Sequence, residues 1–72
     1  MSAVAQNVDL DSWIAVATRH VVDGRLIVER QRKRVASDPS NLDAVLLLET
    51  LEQSLVIFER DLDNLLLKRS RK

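Results

Sequence analysis

Ser37-Asp38-Pro39-Ser40 stands between two long stretches rich in helix formers, and it is the one passage of loop composition in a 72-residue chain with a single Gly and a single Pro. Pro39 has no amide hydrogen to give and cannot continue a helix arriving from its N-terminal side. Just beyond, Ser40-Asn41-Leu42-Asp43 sets a Ser three residues ahead of an acid, so that each side chain can satisfy an orphan amide of a new first turn. The sequence therefore predicts a flexible N-terminus over 1–10, a helix over 11–36, a turn at 37–40, a helix over 41–69 and a basic tail at 70–72. At ~1.5 Å per residue each rod is about 40 Å long.

Working outward from the turn, both segments carry an apolar stripe. Ala44, Leu48, Leu51, Leu55, Phe58, Leu62 and Leu65 alternate steps of four and three without a break. Such a heptad stripe marks one side of a helix that packs along its length. Ile14, Ala17, Val21, Gly24, Val28, Gln31 and Val35 follow the complementary alternation, with small residues at two steps and a polar one at a third. Stripes of equal length joined by a short turn close on each other, and the fold class is all-α: an antiparallel two-helix hairpin. With the turn centred near residue 38, facing residue numbers add to about 77, which sets the small residues of the first helix against bulky ones of the second. Gly24 is then a point of close approach between the helices.

One passage opposes this fold. His20-Val21-Val22-Asp23-Gly24-Arg25-Leu26-Ile27-Val28 places β-branched residues on both sides of Asp-Gly, a strong short-range signal for a β-hairpin. A lone two-stranded hairpin is marginal in water, and nothing nearby supplies a third strand. The helical register also continues far beyond these residues, so helix is expected, with its weakest point at Gly24.

A single seam between two helices buries little apolar surface for a chain this short. Apolar residues remain outside it: Trp13, Val16 and Ile27 beside the first stripe, Leu47 beside the second, and Leu46, Val56, Ile57 and Leu67 further round. Surplus apolar faces on a two-helix unit call for a partner, and a second copy is the economical one. The expectation is a homodimer forming a four-helix bundle, with Trp13, Val16, His20, Ile27, Leu47 and Ile57 at the interface; a different helical protein is the other partner considered.

Eleven Lys and Arg balance eleven Asp and Glu, which gives no overall attraction to nucleic acid or anionic lipid. Residues 41–67 are net −5 and residues 68–72 net +4. The basic groups gather at the C-terminal ends of the helices, where they offset the helix dipole. The run Arg30-Gln31-Arg32-Lys33-Arg34 invites an alternative as a small nucleic-acid-associated or regulatory protein using basic helix ends. Adjacent helical residues point in different directions, however, so this run encircles its helix, and no aromatic interleaves it to stack on bases. His20, the single histidine, has Asp23 three residues on, and a two-fold interface joining two such pairs is a metal-site hypothesis ranked below simple packing.

With no Cys, no second His and no Gly-rich phosphate loop, the chain offers no catalytic constellation; it is expected to be neither an enzyme nor a cofactor protein. The paired acids Glu59 with Asp63 read as a solvated face. No apolar run approaches the about 20 residues needed to span a bilayer. Asp9 and Asp11 interrupt the early apolar stretch, so no secretory signal is expected and the cytoplasm is the expected location.

Trp13-Ile14-Ala15, Arg19-His20-Val21, Val28-Glu29-Arg30-Gln31 and Leu51-Glu52-Gln53-Ser54-Leu55, ending near Phe58-Glu59, together resemble a group of short, uncharacterised proteobacterial proteins made of two helices around a polar turn. The resemblance covers most of residues 13–66 and implies a bacterial, cytoplasmic setting, with no site residues. Ser37-Asp38-Pro39-Ser40 departs from the Gly- or Asp-Thr-containing turn of that group.

Overall fold

A computed structural model describes residues 2–71, and their side chains from residue 9 onward. Helix α1 spans Ser2–Ser37 and helix α2 spans Leu42–Ser70, and they pack against each other as a hairpin. The rod measures 56 × 15 × 14 Å. Its long axis matches the 36 residues of α1 at ~1.5 Å each. Among the described residues there is no strand.

The two stripes form the seam. Among the described side chains Ile14, Val21, Val28 and Gln31 are buried, and Ala17, Gly24 and Val35 of the same stripe are half-buried. Opposite them, Ala44, Leu48, Leu51, Leu55, Phe58, Leu62 and Leu65 are all half-buried. No residue of α2 is fully buried. Two helices enclose a side chain on only two sides, so most of the seam stays partly wet and only Ile14, Val21, Val28 and Gln31 of α1 are buried among the described side chains.

Gly24 lies at a close contact between the helices. A Cβ built there would sit 3.2 Å from Leu55 Cδ1 and 3.6 Å from Phe58 Cδ2. Gly24 has no positive φ, so its lack of a side chain serves the approach. The Asp-Gly hairpin signal is overridden because Val21 and Val28, on either side, are needed on one helical stripe. Leu55 facing Gly24 moves the register about two residues beyond the expected one, as the turn lies later than expected.

The turn explains that shift. Asp38 N–H donates to the carbonyls of Arg34 (3.1 Å) and Val35 (3.2 Å), closing α1, and Asn41 N–H donates to Asp38 O at 3.1 Å across Pro39 and Ser40. Pro39 thus takes the second place of a four-residue turn, where its fixed φ is an advantage. The Ser40 hydroxyl donates to Asp38 Oδ1 at 3.0 Å. Ser40 is therefore not the helix cap. That role falls to Asn41, whose Oδ1 accepts from Ala44 N–H at 3.1 Å. Loop residues run from 38 to 41 in place of 37–40, and α2 continues through Ser70, within the expected basic tail.

At the other end α1 starts at Ser2, well before the expected residue 11. Residues 2–10 contain neither Gly nor Pro, and nothing in them stops a helix already nucleated downstream. Met1 and Lys72, the outer limits of the expected flexible N-terminus and basic tail, lie outside the described residues.

Candidate interaction face

A two-helix seam has two open edges, and this chain treats them differently. Along one edge run the residues that directly follow the stripe positions. Here Arg25 Nη2 donates to Glu59 Oε2 at 3.0 Å, and Arg32 Nη2 donates to Glu52 Oε2 at 3.0 Å. These interhelical pairs lie two turns apart and bridge the edge. Their arginines are 64% and 62% exposed, so each contributes at most about 1 kcal/mol; orientation and register are their main effect.

Residues that directly precede the stripe positions line the other edge, among them Trp13, Val16, His20, Asp23, Ile27, Arg30 and Arg34 on α1, and Leu47, Ser54, Ile57, Asp61 and Asn64 on α2, with Lys68 one turn beyond. No ion pair crosses it among the described residues. Instead shallow depressions lie along it. Trp13, Val16 and His20 face Asp61, Asn64 and Lys68 across a depression of about 380 Å³. Nearer the turn, Ile27, Arg30 and Arg34 face Leu47 and Leu51. At the open end Asp9, Leu10 and Trp13 meet Lys68.

All six side chains expected at an interface are exposed in the hairpin, with Trp13 at 62% and Ile57 at 57%. Trp13, Val16 and His20 border one depression on this edge, and Ile27 and Leu47 border another nearer the turn. Ile57, directly before Phe58, sits on the same edge one heptad from Asn64 without lining either depression. The edge that lacks ion pairs thus carries part of the exposed apolar surface, including the single tryptophan. Val22, Leu26 and Leu42, which the sequence reading passed over, are also exposed, Leu42 at 73%. Val22 and Val56 lie on the ion-paired edge, and Leu26, Leu42, Leu46 and Leu67 are on the outer faces of the helices, interspersed with Glu49, Gln53, Arg60 and Asp63.

Two polar side chains tie this edge to the seam. Gln31, 5% exposed, donates Nε2 to Ala44 O at 2.9 Å, so its burial in the stripe is compensated by a hydrogen bond onto the first turn of α2. The His20 ring lies 5.3 Å from that of Phe58 at 44°, a tilted aromatic contact that packs one side of the imidazole while the residue stays exposed. The basic run divides as its helical spacing requires. Arg32 goes to the ion-paired edge, while Arg30 and Arg34 border the depression nearer the turn.

Among the described residues no three His, Cys, Asp or Glu side chains assemble to hold a metal ion, and no helix is long and apolar enough to cross a membrane. Comparison with family models, curated proteins and solved structures returns no match, so neither a function nor support for the proteobacterial resemblance comes from similarity.

Proposed function

We propose that this chain is a small protein–protein interaction or structural module that self-associates through the edge lined by Trp13, Val16, His20, Ile27 and Leu47, two hairpins forming a four-helix bundle. The asymmetry of the edges carries this reading: one is bridged by Arg25–Glu59 and Arg32–Glu52, and the other gathers exposed apolar side chains along most of the rod. A seam whose second helix has no fully buried residue leaves apolar surface in water, and stacking a second hairpin on the open edge converts half-buried Leu51, Leu55, Phe58 and Leu62 into core. An enzymatic or cofactor role has no such support. A bacterial cytoplasmic setting goes with this proposal, favoured by the cysteine-free composition and by the resemblance.

Sedimentation velocity over a concentration series tests it. A species of twice the 8.2 kDa chain mass at micromolar concentration is expected. A folded monomer throughout would refute it.

A further inference from the structure

We infer that the bridged edge is a barrier built into the hairpin: the pairs Arg25–Glu59 and Arg32–Glu52, with the acids Glu29, Glu49 and Asp63 beside them, turn away further copies, so that association through the opposite edge closes at two chains. This rests on the proposed self-association and adds what ends it. The bridged edge has apolar side chains of its own, for Val22 and Val56 are each 50% exposed. Their numbers add to 78, against 79 for Gly24 and Leu55 in contact across the seam, so the two valines are level with each other on either side of the edge. Arg25 lies one turn beyond Val22, and Glu59 one turn beyond Val56 on the antiparallel helix, so their ion pair crosses diagonally between the valines. A hairpin settling on Val22 and Val56 must also cover this pair, whose side chains are 64% and 39% exposed, and strip its water. Desolvation of an ion pair outweighs its attraction unless new hydrogen-bond partners replace the water.

Net charge separates the edges in the same sense. Over residues 13–68 the positions that follow the stripes hold Arg25 and Arg32 against Glu29, Glu49, Glu52, Glu59 and Asp63, two bases against five acids, net −3. Glu29 and Glu49, whose numbers also add to 78, flank the Arg32–Glu52 pair as the valines flank the other. With Asp63 they are exposed and enter no ion pair among the described residues. The positions that precede the stripes hold Arg30, Arg34 and Lys68 against Asp23, Asp43 and Asp61, three against three, net zero. Once the neutral edges are joined in a dimer, dimers present only bridged edges to one another. Two such edges meet −3 against −3 whichever way the rods point, at helix spacings of 8–10 Å, about one Debye length at physiological salt. Like charge rejects that contact, and the neutral edge carries no such net repulsion.

Glu29→Gln, Glu49→Gln and Asp63→Asn bring the bridged edge to net zero, and Arg25→Ala with Glu59→Ala removes the pair between the valines without adding apolar bulk. Sedimentation velocity compares this five-fold variant with the parent at equal concentration, with circular dichroism following helicity. The parent is expected at two chain masses and the variant at four or more, returning to two when Val56→Glu is added. A helical variant that stays at two chain masses overturns the barrier and leaves self-association standing. So does a variant that stays large with Val56→Glu, because its new contact then lies elsewhere. A parent at one chain mass overturns both. If the five substitutions cost helicity, the three acid substitutions alone are read against the same outcomes.

Discussion

Gly24 is the position at which the packing can be tested by adding single methyl groups. In Gly24→Ala the new Cβ lies 3.2 Å from Leu55 Cδ1, so that methyl must yield by a few tenths of an ångström, while Phe58 Cδ2 at 3.6 Å is in ordinary contact. Leu55 is half-buried and ends in a rotatable isobutyl group, so it can move at small cost. Against that stands the helix propensity of Ala over Gly, about 1 kcal/mol in an interior position. The net expectation is neutral to stabilising, up to about 1 kcal/mol, or a rise in Tm of at most about 8 °C for a chain of this size. Gly24→Val adds two further carbons directed at Leu55 and Phe58 with little χ1 freedom, and overpacking of that kind costs about 1–3 kcal/mol. Thermal melts followed by circular dichroism at one fixed protein concentration check both, since any dimer makes Tm depend on concentration. Gly24→Val matching Gly24→Ala would refute the close approach, and Gly24→Ala melting well below the parent would refute the easy yielding of Leu55.

Asn41→Ala should lower stability by about 1 kcal/mol through loss of the cap on Ala44 N–H, with Ser40→Ala costing clearly less, in the same melts. Leu55→Asp or Phe58→Asp places a charge in the seam, and either should abolish helicity and association together, read by circular dichroism and light scattering. Gln31→Leu removes the Ala44 hydrogen bond but keeps volume in the stripe; denaturant titration should find stability within about 1 kcal/mol of the parent. Glu59→Gln should cost less than about 1 kcal/mol in low salt and nothing measurable in high salt, since Arg25–Glu59 is exposed.

The seam was legible because it depends on residue size and spacing. Ile14 through Val35 and Ala44 through Leu65 occupy the positions their heptad steps assigned, and even Gln31 and Gly24 fall on the stripe. Details at the turn were less legible. Ser40 and Asn41 are both good caps, and the choice between them depends on the turn that Asp38 and Pro39 make, which uses Ser40. A cap at Ser40 implies a register about two residues short of the observed one, in which the pairing of Arg25 with Glu59 and Arg32 with Glu52 is not visible. Glu59 read as a solvated acid for that reason. The unbridged edge was legible as an apolar surplus, whereas its contrast with a bridged edge emerged only once the register was fixed.

Trp13 is the single tryptophan, 62% exposed in the hairpin and placed on the unbridged edge, so its fluorescence reports directly on whether that edge is covered. Covered by a second copy, it should emit at shorter wavelength at high concentration and shift to the red on dilution, in step with the fall to monomer mass. Emission typical of a water-exposed indole at every concentration would contradict the account.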